Sequence, residues 1–359
     1  MKNFVTVGAA LMLTTTAAYA GGIDRSGQSI GAIFEDGKYV ELSYGNVTPS
    51  VDGIFTVPAG PAAGFEIASG NAAPSYGTVG LAFKTDIDDK VSLALIIDQP
   101  FGADVAYVNT DPGYPISGTY AQVKTTAITA VGRYKFNENL SVLFGPRYLT
   151  ASGKYNRSVP SVPAAAYTTD YDSGSGAGYV AGVAYERQDI ALLVSLTYSS
   201  AIDLELAASA GGVLTATMPE TVNLEFQSGV AANTLVFGSV RWAGWSEGHI
   251  TDPNVGELVS WDEDTVVYTL GVGRKFSDSF SGAISVGYED AQGGLSSNLS
   301  PTDGFTSVSV GGTYTMDTGI ELTGGVRYIM AGDTTTETIG AEFSDNSAVA
   351  VGLKVAYNF

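Results

Sequence analysis

The segment 347–359, SAVAVGLKVAYNF, alternates strictly. Val349, Val351, Leu353, Val355, Tyr357 and Phe359 share one parity; Ala348, Ala350, Gly352, Lys354, Ala356 and Asn358 share the other. A pleated strand imposes this period of two on its faces. The same test along the chain predicts fourteen strands, near 38–47, 75–85, 90–100, 119–136, 139–151, 176–187, 190–202, 216–231, 233–246, 262–276, 279–290, 305–316, 319–331 and 347–359. The links alternate in length. Tight links at 86–90, 137–139, 187–189, 231–233, 276–279 and 316–319 separate longer ones at about 48–74, 101–118, 152–175, 203–215, 247–261, 291–304 and 332–346. Short turns on one side and long loops on the other characterise a transmembrane β-barrel, with the short set periplasmic and the long set extracellular.

Parity also assigns faces. From 319, one face carries Ile320, Leu322, Gly324, Val326, Tyr328 and Met330, and the other Glu321, Thr323, Gly325 and Arg327. From 139, Leu140, Val142, Phe144, Pro146 and Tyr148 oppose Ser141, Gly145 and Arg147. In a membrane barrel the bulky apolar set faces lipid and the charged set faces the lumen; a soluble sandwich would bury the apolar set between sheets. Tyr44, Tyr134, Phe136, Tyr185, Phe276, Tyr288, Tyr314, Tyr328 and Phe359 lie near strand ends, where interfacial aromatic girdles belong.

The beginning of the chain favours export to a membrane. MKNFVTVGAALMLTTTAAYA has Lys2, an apolar stretch from Phe4 to about Leu13 and the small-residue pattern Ala18-Tyr19-Ala20, which reads as a signal peptide over 1–20. Beyond it no apolar run approaches the ~20 residues of a membrane-spanning helix. The chain has 45 glycines, 20 tyrosines, only 15% charged residues, no cysteine and a net charge of −20. Without cysteine no disulfide framework holds an exported chain together. The acidic balance argues against nucleic acid. An open sheet edge cannot exist in lipid, so such strands must close into a barrel.

Five stretches in order resemble the FadL-type outer-membrane transporters of long-chain fatty acids and other hydrophobic molecules. They are GGIDRSGQSIGAIFEDGKYVELSYG at the start, DQPFGADVAY at 98–107, LTYSSAIDLEL at 196–206 followed by MPETVNLEFQSGVA at 218–231, VRWAGWSE at 240–247, and the terminal Phe359. The resemblance implies a fourteen-stranded barrel plugged by an N-terminal hatch, here 21–37, with the barrel over 38–359. It also implies a kinked third strand that opens the wall sideways. Pro100 and Gly102 are candidates for that kink, since proline removes a ladder donor and glycine permits a bulge; the other reading is that Pro100 ends the strand. The hatch segment is short and lacks an asparagine-proline-alanine turn.

Uptake of a greasy molecule needs an apolar landing surface beyond the lipopolysaccharide. The first long loop offers Val51, Ile54, Phe55, Val57, Phe65 and Ile67, and the third offers Tyr155, Val159, Val162, Tyr167 and Tyr171. Such clusters mark binding sites, or they bury one another as a cap. Arg147, Arg241 and Arg327 face inward at similar heights, with Lys354 lower. Guanidinium groups suit a fatty-acid carboxylate, although the same cations could pair with Glu225, Glu321, Glu41, Asp24 or Glu35. WDEDT at 261–265 lacks the ligand spacing of a calcium loop. The one histidine, His249, has no partner that would make a nucleophile or a zinc site.

The expectation is therefore a monomeric bacterial outer-membrane β-barrel, without enzymatic activity, metal or cofactor. It would take up a long-chain fatty acid or another hydrophobic ligand while in contact with membrane lipid and lipopolysaccharide. Its last strand, ending in Phe359, would be read by the barrel-assembly machinery. A diffusion porin for small polar solutes and a structural or adhesive surface barrel are the alternatives.

Overall fold

The computed structural model describes residues 22–359, so the signal-peptide reading lies outside the described residues. The barrel strands are β1 (Tyr39–Ser50), β2 (Tyr76–Asp86), β3 (Val91–Asp98, resuming as Gly102–Ala106), β4 (Tyr120–Lys135), β5 (Leu140–Arg157), β6 (Tyr167–Arg187), β7 (Leu192–Ser199), β8 (Thr221–Ala231), β9 (Thr234–Ala243), β10 (Thr265–Lys275), β11 (Phe280–Glu289), β12 (Phe305–Thr315), β13 (Ile320–Ala331) and β14 (Ser347–Asn358). Each pairs antiparallel with its neighbours in the chain. The sheet closes where β14 pairs with β1, from Tyr39 opposite Asn358 to Ser50 opposite Ser347. All fourteen expected strands are present.

The alternation sets the faces as expected. In β14 Val349, Val351, Leu353, Val355 and Tyr357 are exposed, while Ala348, Ala350 and Ala356 are buried inside. In β5 Leu140, Phe144 and Tyr148 point outward and Ser141, Leu143, Arg147 and Leu149 inward. An exposed belt that includes Leu95, Ile128, Val183, Leu196, Leu270, Ile284, Val310 and Val326 surrounds the cylinder, and burial of this belt in hydrocarbon is what a spanning barrel requires. Tyr134, Phe136, Tyr185, Phe276, Phe280, Tyr314, Tyr357 and Phe359 are exposed beside the short turns, and Tyr148, Tyr179, Tyr268, Tyr288 and Tyr328 are exposed toward the long loops.

The long loops are more ordered than alternation alone implied. The stretch expected as a loop at 152–175 instead lengthens β5 and β6, which stay paired out to Arg157 opposite Tyr167. Ser, Thr, Tyr and Asp occupy both parities there, so no apolar face announced a strand. The strand expected from 216 divides. Val213–Met218 pairs with Ile202–Ala207 in a hairpin outside the barrel, and β8 starts at Thr221. That hairpin continues through His249–Asp252 and Gly256–Ser260 as a four-stranded sheet. Five short strands, including Gly53–Thr56 and Glu66–Ala68 of the first loop, form a second small sheet.

Candidate functional site

Residues 22–38 run through the barrel interior and use the inward polar side chains as partners. Asp24 forms an ion pair with Arg241 of β9 at 2.8 Å, and Arg241 also donates to Asn223 at 3.0 Å. Asn223 in turn donates to the carbonyl of Gly27 at 2.9 Å. Arg147 of β5 donates to the side chain of Gln28. Ser26 donates to Asp98 at 2.6 Å, and Arg25 pairs with Asp104 at 2.6 Å. Below these polar contacts, Ile30, Ile33 and Phe34 pack on Ala94, Val131, Leu143, Val180 and Ala184. The segment thus has an apolar seat and a ring of charge-assisted bonds, the stronger class of hydrogen bond.

The four cations singled out for a carboxylate are all engaged within the protein. Arg147 and Arg241 hold the N-terminal segment, and Lys354 pairs with Glu41 at 3.2 Å. Arg327 lines a lumenal cavity together with Arg241, Ser307 and Ser309, and its guanidinium lies 5.2 Å from the Phe305 ring centre. Lys354 belongs to an acidic neighbourhood. Burial pushes the Glu35 carboxyl up from 4.5 to about 7 against the opposing pull of Lys354, and Glu321, Glu41 and Asp36 push the same way.

The third strand does not end at Pro100. It leaves the sheet over Gln99–Phe101 and resumes at Gly102, and against β4 its register slips by one residue across the break. This is a bulge. The displaced backbone finds its partner in the N-terminal segment: Arg25 N–H donates to Pro100 O at 2.7 Å, and Gly102 N–H donates to Ile23 O at 2.8 Å. Gly102 is needed at this approach because a Cβ there would lie 2.7 Å from the Arg25 guanidinium, which Asp104 holds in place. Phe101 turns inward and meets Trp245 edge to face at 5.8 Å.

The break leaves a gap in the wall. β2 pairs with β3 only from Leu81 to Asp86, although β2 continues to pair with β1 up to Tyr76. Val79, Gly80, Leu81, Ile97 and Gln99 at this gap line the same cavity as Ser29, Ala32, Phe34 and Glu225 of the interior. Space inside the barrel therefore reaches the wall at the interruption of β3.

Above the N-terminal segment lies a third cavity of a different kind. Ile23, Ala151, Tyr155, Tyr171, Leu204, Leu206, Leu214, Ala216, Met218, Ile250 and Val259 are among its walls. In the seated state it is small, a cavity of ≈ 60 Å³. The sequence singles out Tyr155 and Tyr171 among these walls. It does not single out the leucines of Ile202–Ala207 and Val213–Met218, although Ile202, Leu204 and Leu206 alternate with Asp203 and Glu205, because they fall in the stretch that the alternation of links predicts as a long loop. Asp252 fixes this region, accepting from Tyr171 at 2.7 Å and from Tyr167 at 3.0 Å. Phe55 is half-buried in a separate outer cluster around Tyr107, Tyr114 and Phe343. Phe65 is 70% exposed on the arm of its hairpin next to Glu66 and lines none of the three cavities.

Comparison with known proteins adds the family. A family model described as "Outer membrane protein transport protein (OMPP1/FadL/TodX)" matches residues 32–359. Among solved structures, the chain is similar to a Pseudomonas aeruginosa FadL homologue (13% identity, 92% of each chain covered, TM-score 0.70). It is also similar to the Pseudomonas putida toluene transporter TodX (13% identity, 95% of this chain and 96% of that one, TM-score 0.64). A third is the Ralstonia pickettii toluene transporter TbuX (13% identity, 91% of each, TM-score 0.61). Among curated proteins no sequence match was found.

Proposed function

The chain belongs to the OMPP1/FadL/TodX family of outer-membrane transport proteins, and from that premise we propose that this bacterial outer-membrane channel takes up small hydrophobic molecules by a route that ends sideways in the wall. The loops capture the molecule, the apolar cavity beneath them receives it, the N-terminal segment yields, and the gap beside Gln99 releases it toward the bilayer. The observation that carries this reading is the stacking of three features: an apolar cavity floored by Ile23, a segment that bonds through Ile23 to Gly102 and through Arg25 to Pro100, and a wall interruption at those residues. The toluene transporters TodX and TbuX share the fold, which supports the same class of cargo.

The cavity favours an uncharged substrate. Its one cationic side chain is Lys154, which is largely exposed at the rim. A buried carboxylate without a partner is costly. A long-chain fatty acid fits the same route if Arg147, Arg241, Arg327 or Lys354 takes up its carboxylate as the segment withdraws. Uptake of labelled toluene and labelled oleate by wild-type and deletion strains tests both. Toluene uptake that falls on deletion supports the route, and a parallel fall for oleate extends it to fatty acids. Uptake of both unchanged by deletion rejects it.

A further inference from the structure

The gap between β2 and β3 contains a substitution of one chemical group for another. The paired register of the two strands, Leu81 opposite Ile97 and Ala82 opposite Ile96, would place Gln99 opposite Val79 if the ladder continued. The backbone of Gln99 has left the ladder, because the next residue is Pro100 and the chain beyond it bonds to Arg25 and Ile23. The amide N–H of Val79 nevertheless has an acceptor: the side-chain oxygen of Gln99, at 3.0 Å. The parity of β3 places Gln99 on the wall side, while Asp98 beside it turns inward to Ser26. The side-chain carbonyl of Gln99 thus stands where the backbone carbonyl of an unbroken strand would have stood.

An amide held by a ladder opens only when the strand frays, whereas an amide held by one side chain is freed by a change of rotamer. An unsatisfied backbone N–H facing hydrocarbon is costly, so the gap needs a closure, and a neutral hydrogen bond is weak enough to break and re-form as cargo passes. We infer that Gln99 is the latch of the wall opening, a positioning residue that closes the gap by bonding to Val79 and swings aside to let cargo into the bilayer. This rests on the sideways exit proposed above. The observation peculiar to it is the replacement of a ladder acceptor by a side chain at the register position where the ladder breaks.

The test compares uptake of labelled toluene and labelled biphenyl in cells producing wild-type protein, Gln99→Leu and Gln99→Glu, with the deletion strain as background. Gln99→Leu keeps the bulk and removes the acceptor; Gln99→Glu keeps an acceptor. The latch predicts that Gln99→Leu raises the biphenyl rate about fivefold, the scale of one neutral hydrogen bond in an opening equilibrium, and raises the ratio of biphenyl to toluene, while Gln99→Glu stays close to wild type. Wild-type uptake above background with an unchanged ratio in Gln99→Leu overturns the latch and leaves the route standing. Uptake at background for the wild type overturns both. Hydrogen exchange of the wild-type protein in detergent gives an answer independent of any variant's folding. The Val79 amide should exchange at least tenfold faster than that of Leu81, and equal protection of the two contradicts the latch.

Discussion

Asp24 and Arg241 meet at 2.8 Å across 217 residues of sequence, and the pair ties the N-terminal segment to the far wall of the barrel. Both side chains are largely buried, at 17% and 6% exposure. Breaking a buried pair by removing one partner costs about 3–5 kcal/mol, because the other charge is left uncompensated. Arg241→Ala should therefore loosen the segment without opening the closed sheet. In planar bilayers the variant should show frequent ion-conducting events where the wild type shows few. Indistinguishable current traces would mean that the pair does not hold the segment.

The seat of the segment should respond to pH. Burial raises the Glu35 carboxyl from 4.5 to about 7, so the seated state binds its proton more tightly than the released state does. Seating is therefore favoured below about 4.5 and weakens as pH rises from there to about 7, with little further change above. Amide protection of residues 30–36 should fall between pH 5 and pH 7.5 in wild-type protein. In Glu35→Gln it should stay flat over that range. A fall of the same size in Glu35→Gln would assign the response to other groups.

Filling the apolar cavity should stop uptake while leaving the barrel intact. Ala216 lies on the extracellular hairpin and lines the cavity at 4% exposure. Ala216→Phe places a ring in the space; overpacking of this kind costs about 1–3 kcal/mol, here outside the barrel sheet. Toluene uptake should drop at least tenfold, with heat-modifiable migration on gels unchanged. Normal uptake by a folded variant would move the cargo path elsewhere.

The outward face can be tested by charge. Leu353 is exposed to the hydrocarbon side midway along β14. Leu353→Arg should destabilise the barrel in lipid vesicles by about 2–4 kcal/mol, the cost of a cation near the bilayer midplane. Thr323→Ser, a change at a buried lumenal position paired with Lys354, should stay within about 0.5 kcal/mol, the usual scale for a mild substitution. Equal effects in denaturant titration would contradict the assignment of faces.

The barrel was legible in the sequence because lipid and lumen differ on every strand: in β14 each valine or leucine alternates with alanine, glycine or lysine. The outer parts of β5 and β6 were not legible, since beyond the membrane both of their faces carry polar residues such as Thr168, Thr169 and Asp170. The apolar cavity was half legible. Tyr155 and Tyr171 stood out, but the alternation of Ile202, Leu204 and Leu206 was too short to be separated from a loop. The partners of Arg147, Arg241 and Lys354 include Gln28, Asp24 and Glu41, all from the first part of the chain, and no local pattern encodes such distant meetings. The role of Gln99 depends on register between two strands, which only the folded chain displays.

Reconstitution of the purified protein into liposomes gives the most direct measurement. Transfer of toluene into the vesicle membrane and conductance of potassium chloride can be read on the same preparation. The account predicts protein-dependent transfer of toluene that Ala216→Phe abolishes, accompanied by little steady ion current. Large steady conductance with toluene transfer no faster than in protein-free vesicles would contradict it and identify a polar pore instead.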